Sequence, residues 1–332
     1  VTISASSKLI SVGGTDTTTN KALPDLALVS DVPTAASASA YITPISTIIA
    51  AADTPAAKLE VLTSLGISAA DLGADASDAA AVIQAFIAKD VWAESVTGDA
   101  VAQAIQTKNV QIAEVLISAV NVADTSDAAT AVSRAVAMTK SFAEGLVTQA
   151  ATGQQIISTE TAADGTVSFK LVEDAISSAL VVAVQTYTAL ATITDTSLDE
   201  LVATATALEA LAVFAADLAE VITSVTDQLN FADITDVSAV SVITAAKDSA
   251  ETAVTGIATA VVAADATELA AYASGSLSST IAATVTSAEE NVVAAVAAAV
   301  VESATASAQA AADLTNTGYS LPEVISVLET VE

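Results

Sequence analysis

The chain has 332 residues, with 39 acidic against 9 basic side chains and a formal charge of −30. That balance excludes nucleic acid as a partner, since phosphate recognition needs clustered Lys and Arg, and it disfavours anionic membrane surfaces. Cys and His are both absent, which removes disulfides, thiolate nucleophiles and imidazole, and with them the usual zinc, copper and haem ligand sets.

Hydrophobic residues make up 53% of the chain but aromatics only 3%. The apolar content is therefore Ala, Val, Ile and Leu. Such side chains pack closely while each buries little area, so stability is expected from many modest contacts, extended across subunits. The acidic surface suits high ionic strength or divalent cations, where self-repulsion is screened. The chain begins at Val1 rather than Met, which suggests a processed mature protein whose leader has been removed, or a fragment. The lack of Cys fits a secreted bacterial protein, so a secreted, extracellular or cell-surface location is expected.

Residues 1–40 read as an extended or β arm. Val1-Thr2-Ile3 and Lys8-Leu9-Ile10-Ser11-Val12 are β-prone, Gly13-Gly14-Thr15-Asp16 is a turn, and Pro24 and Pro33 punctuate the stretch beyond it. An arm of this kind adds to a neighbour's sheet edge, or is simply a frayed terminus or a linker. Residues 41–152 read as a helical domain. Pro55 takes a first helical position and Gly66 ends that short helix. Asp75-Ala-Ser-Asp78 and Asp124-Thr-Ser-Asp127 each precede an Ala/Val-rich run, as paired N-caps or a weak duplication. Helices are predicted over 77–88, 99–122 and 126–148.

Residues 153–173 form the predicted boundary, with Asp164-Gly165 between two β-prone runs as the clearest hairpin signal in the chain. Residues 174–332 read as a long-helix domain. It opens with a helix over 174–192, and Ser197 with Glu200 makes a capping box for a helix to about Thr226. In that helix Leu201, Leu208, Ala215 and Ile222 recur at sevens, and Leu211, Leu218 and Val225 form a second row. The two rows are a packing seam, inside a bundle or between subunits. Further helices are predicted over 238–263, 265–273 and 277–314, with Gly275 separating the last two. Residues 176–194 and 269–288 carry no charge, but Ser, Thr and Gln interrupt the first and Gly275 the second. Both read as buried or interfacial helices rather than membrane spans.

Catalytic patterns are missing from the sequence. The usual base for a serine nucleophile is lacking, and Gly-x-Ser-x-Gly, P-loop and Gly-x-Gly-x-x-Gly patterns do not occur. Paired carboxylates of glycosidase type want an aromatic-lined cleft, and one Trp with four Tyr and five Phe supplies a poor one. Calcium is the one cofactor worth carrying. Asp71, Asp75 and Asp78 cluster before a helix, Asp195, Asp199 and Glu200 before another, and Asp227, Asp233 and Asp236 surround a loop. Loop acids supply the oxygen ligands that calcium needs; helix capping is the competing role for the same residues.

One stretch resembles a known module. Tyr41-Ile42-Thr43-Pro44-Ile45-Ser46-Thr47-Ile48-Ile49-Ala50, then Leu65-Gly66-Ile67 and Asp71-Leu72, is similar to a helical "TPLTTL…LGL" module of large secreted bacterial surface proteins and adhesins, with Ile replacing both leucines of the first motif and Ser one Thr. The helix from Gln103 to Ala113 is similar to that module's Gln/Asn-bearing helix. The resemblance covers residues 28–122 and implies export and a surface location. It supplies no catalytic residue.

The expected fold is mainly α, with helical bundles, a short N-terminal β or extended segment and a small central β-hairpin. The expected function is structural rather than enzymatic. Copies of the chain form a homopolymer, as a filament, sheath or surface layer, in contact with the cell envelope or other surface proteins. The alternatives are a spacer or binding module of a large adhesin, and a helical membrane-inserting protein.

Overall fold

A computed structural model describes residues 7–13, 26–34, 39–122, 131–161, 167–188, 263–276 and 279–288, with scattered positions between 210 and 298. The described chain is mainly helical, with two small antiparallel two-stranded sheets.

The N-terminal segment is a β-ribbon. Strand β1 (Lys8–Val12) pairs antiparallel with β2 (Ala27–Asp31), Lys8 opposite Asp31 and Val12 opposite Ala27. Its position is set by α1 (Pro44–Ala51). Thr43 and Ser46 form a reciprocal capping box at the start of this helix, and Pro44 takes its first position, where no backbone donor is needed. Thr47 Oγ1 accepts from the Val29 N–H at 2.9 Å, and Ser46 Oγ donates to the Val29 carbonyl at 2.8 Å. The outer edge of β2 is thus satisfied by side chains of a helix. Residues Ile45 to Ala50 of α1 are all buried, as expected of a helix with apolar or small residues on every face.

Asp31 completes the anchor. Its two carboxylate oxygens take ion pairs from Lys8 and from Lys58 of α2 (Pro55–Ser64). Lys8 Nζ also donates to the Ala50 carbonyl at 2.9 Å. Burial pushes the Asp31 carboxyl up, but the two ammonium groups outweigh it and hold the group below its ordinary value.

Helix α2 begins at its Thr54 cap and ends in a Schellman turn. Gly66 adopts φ +64°, its N–H reaches the Thr63 carbonyl at 2.9 Å, and the Ile67 N–H reaches Leu62 at 2.9 Å. A 3-10 turn (Ala70–Leu72) leads to α3 (Ala79–Ala88), α4 (Val91–Val96) and α5 (Ala100–Val122). Asp78, Asp90 and Asp99 start these three helices by accepting from Ala81, Ala93 and Ala102 N–H groups. Helix α4 has no counterpart among the predicted helices; its six residues are too few to show a period.

The hairpin is present where Asp164-Gly165 placed it. Strand β3 (Ile157–Thr161) pairs with β4 (Val167–Leu171), Ile157 opposite Leu171 and Thr161 opposite Val167. Residues 162–166, which contain the Asp-Gly pair, lie outside the described residues. The hairpin is tied to α2, since the Ile156 N–H donates to the Ser64 carbonyl at 2.8 Å.

Helix α6 (Ala131–Ala151) lies against α1, α2 and α5, and α7 (Glu173–Thr188) packs along it. Met138, Phe142 and Leu146 of α6 and Ile176, Leu180, Val184 and Tyr187 of α7 are buried in the common core. The two helices approach tightly at Gly145, where a Cβ atom would fall 2.6 Å from the Ala179 carbonyl oxygen. The described part of the uncharged stretch 176–194 is therefore a core helix. No helix among the described residues is long and apolar enough to cross a membrane. Farther along, Asp265 caps α8 (Ala266–Ala273) through Thr267 and Glu268 N–H groups, and Glu268 Oε1 accepts from the Thr280 and Ile281 N–H groups at the start of the following helical segment.

Two substitutions of the same kind should act in opposite directions. Gly145→Ala drives a methyl group into backbone and should destabilise by about 1–3 kcal/mol. Helical Gly256, whose Cβ would meet nothing within 4 Å, should tolerate Ala with a gain of about 0.4–1 kcal/mol. Urea unfolding of both variants, with unchanged slope, measures the difference. Asp31→Asn should cost about 1–3 kcal/mol at neutral pH, as expected for charge-assisted hydrogen bonds lost from a half-buried pair. Because the folded carboxyl lies below its ordinary value, that contribution is complete above the unfolded value and fades as pH falls through the folded one. The same titration on wild type and variant should therefore converge in acid.

Candidate functional site

The unusual chemistry of this interior lies on α5. Thr107, Lys108, Asn109, Gln111, Glu114 and Ser118 are all buried, although polar residues rarely occupy the middle of a core helix. Thr107, Gln111, Glu114 and Ser118 follow spacings of four, three and four, so they share one face. Apolar Ile105, Ile112, Val115 and Leu116 take the remaining directions.

Lys108, Asn109 and Gln111 bond to backbone groups of other elements, while the Thr107 hydroxyl donates to the Gln103 carbonyl of its own helix at 3.1 Å. Lys108 Nζ donates to the Gly66 carbonyl at 2.8 Å and lies 4.6 Å from the centre of the Phe169 ring. It thereby joins the α2 terminus to β4. Gln111 Nε2 donates to the Phe169 carbonyl at 2.7 Å. On another face Asn109 Oδ1 accepts from the Ile45 N–H at 3.3 Å, serving the first turn of α1. Glu114 is the one fully buried carboxylate among the described residues. Ser118 Oγ and, on α6, Thr139 Oγ1 are buried without a hydrogen-bond partner among the described residues.

Burial lowers the Lys108 ammonium to about 8, against an opposing pull from the Asp71 charge. The carbonyl and the aromatic face compensate only part of the lost hydration. Chemically the row fastens an α-helix to a loop and a hairpin; the lysine and both amides are occupied with backbone or aromatic partners.

The acids selected from the sequence have other occupations. Asp71 Oδ2 accepts from the Ser68 N–H and hydroxyl, both at 2.7 Å. Asp75 Oδ1 accepts from the Ser77 N–H at 2.9 Å and its hydroxyl at 2.8 Å, and these bonds hold its carboxyl below the ordinary value. Asp78 caps α3. The three carboxylates are each turned to their own stretch of chain, and no group of three or more acidic side chains suited to a metal ion occurs among the described residues. Asp195, Asp199, Glu200, Asp227, Asp233 and Asp236 lie outside the described residues, as do the seam residues Leu201, Leu208, Leu211, Leu218, Ile222 and Val225. Ala215, from the first seam row, is described and fully buried.

Lys108 and Glu114 were not selected from the sequence. The available signal was a run of Lys, Asn, Gln and Glu in the middle of a 23-residue helix with apolar residues in every direction. A shallow groove of about 520 Å³ runs between α2 and the α6 terminus, lined by Leu59, Glu60, Thr63, Ser77 and Gln154 among others. It brings together no cluster of titratable groups. No family model, curated protein or solved structure matches this chain.

The lysine makes a testable pH signature. Its folded value of about 8 lies below the ordinary 10.5. Between those two values the unfolded chain holds a proton that the folded chain has released, so stability should rise with pH across that window. Lys108→Met should flatten the rise. Urea midpoints at pH 7.5, 8.5 and 9.5 for both proteins measure the effect, and identical slopes would remove the assignment.

Proposed function

We propose that this chain is an exported structural subunit, copies of which assemble into a filament, sheath or surface layer on a bacterial cell. The observation that carries this reading is a mean hydropathy of +0.64 in a chain of charge −30. Carboxylates keep dilute copies apart, while aliphatic surface favours contact once salt or divalent cations screen the charge. Exposed Ile10, Val12, Trp92, Val96, Val132 and Val167 supply part of that surface. The interior polar groups of α5 fit the same reading, since they hold elements in place.

A spacer or binding module of a larger adhesin is the second reading. The similarity of residues 41–72 to the "TPLTTL…LGL" pattern favours it.

Electron microscopy of the purified chain separates the two, in low salt, in high salt, with calcium and with chelator, beside light scattering for mass. Ordered polymers that appear on screening are the expected result. Loss of these polymers in chelator would place cations in the contacts. A monomer under every condition would overturn the assembly reading in favour of the adhesin module.

A further inference from the structure

The β1–β2 ribbon has two different edges. The outer edge of β2 is closed by Ser46 and Thr47 of α1, which take both the N–H and the carbonyl of Val29. The outer edge of β1 has no partner strand among the described residues. On β1, Ile10 and Val12 project to one side of the strand and are 59% and 45% exposed. Proteins usually guard such an edge with a charge, a proline or a bulge. Here Lys8, the one charged residue of β1, is engaged by Asp31 and the Ala50 carbonyl, and the strand contains no proline.

Charge does not oppose a second copy at this edge. Residues 1–15 contain one Lys and no acid, in a chain with 39 acids. A second copy, itself at −30, meets no carboxylate of β1 when it approaches there. An acidic side chain on the strand would instead set like charges directly opposite each other.

We infer that the free edge of β1 is a joint between two copies of this chain, formed by antiparallel pairing of β1 with its counterpart. The inference rests on the assembly reading and locates one of its contacts. Pairing about a two-fold axis brings identical patches together and makes a four-stranded sheet in the order β2, β1, β1 of the partner, β2 of the partner. Ile10 sits at the centre of the five-residue strand, so the two copies of its side chain meet near the axis. The strand is short, and its contact covers on the order of a few hundred Å², well below a stand-alone dimer interface. It therefore acts at high local concentration, together with other contacts.

The natural absence of cysteine makes the test direct. Ile10→Cys and Ser11→Cys place a thiol on the edge, and Thr97→Cys places one on the exposed end of α4. All three are made in the full chain, checked for helix content, and oxidised under the salt condition that drives association. Antiparallel pairing holds facing Cα atoms about 4.5–5.5 Å apart, within the span of a disulfide. At least one edge variant should give covalent dimer about tenfold faster than Thr97→Cys, as pre-association raises the effective thiol concentration. Equal rates for all three overturn the joint. Beside this, the Ile10→Lys/Val12→Lys variant should need several-fold higher concentration to associate. If wild type and this variant polymerise equally and no edge thiol is favoured, the joint fails while the assembly reading stands. If edge thiols are favoured but no polymer forms, the joint stands and the polymer reading fails. If wild type stays monomeric and no edge thiol is favoured, both fail.

Discussion

The hydrogen bond from Lys108 to the Gly66 carbonyl ties the middle of α5 to the end of α2 and sets the ammonium over the hairpin. Gly66 ends α2, Lys108 sits one helix away in the core, and the Phe169 ring beneath the ammonium belongs to the hairpin. A carbonyl at the end of a Schellman turn needs a donor when it is turned inward. An ammonium group needs an acceptor when it is taken from water. Each resolves the other's requirement, and the geometry leaves little latitude. A Cβ at Gly66 would stand 3.3 Å from Lys108 Nζ, so the glycine answers both to its backbone angle and to the lysine. Gln111 then fixes the hairpin by its main chain, and Asn109 fixes the start of α1. One helix thus supplies the donors and acceptors that three other elements require.

Two roles stand out among the described acids. Some act locally, starting helices at Asp78, Asp90, Asp99 and Asp265, where a carboxylate satisfies orphan N–H groups and complements the positive end of the dipole. A smaller set acts over distance. Asp31 gathers Lys8 and Lys58 from separate elements, and Glu268 reaches from one helix to the beginning of the next. With only nine basic residues in the chain, two lysines on one carboxylate is a large commitment. It explains why the ribbon stays docked on α1 and α2 despite the exposure of β1.

Much of this architecture could be read from residue order, because its causes are local. Thr-Pro starts, Asp caps, Gly stops and the Asp-Gly reversal each depend on a few adjacent residues. The long helices α5 and α6 declared themselves through sustained apolar content. Other features depend on partners distant in the chain. Pairing of β1 with β2 is decided by Asp31 and by the hold of α1 on Val29, neither visible in a β-prone run. Helix α4 follows from the Asp90 cap and a single turn. The polar row of α5 was not singled out for a related reason: pattern reading assigns Lys, Gln and Glu to solvent, and only the surrounding carbonyls show why they lie inside. The Asp71, Asp75 and Asp78 cluster was legible as composition. Its geometry followed from short side chains, which bond to the nearest N–H or hydroxyl and so do not converge.

The close approach at Gly145 and Ala179 bears on how this core can change over evolutionary time. Glycine and alanine surrender almost no rotamer freedom on burial, so an interface made from them is easily ordered and needs no large side chain to hold it. The same simplicity leaves no slack. A larger residue at Gly145 meets main chain rather than a side chain that can turn aside, and smaller than glycine does not exist. Drift at this contact is therefore blocked in one direction and exhausted in the other. Solvent-facing positions of α6 and α7 can vary widely, while this one contact is held by volume alone.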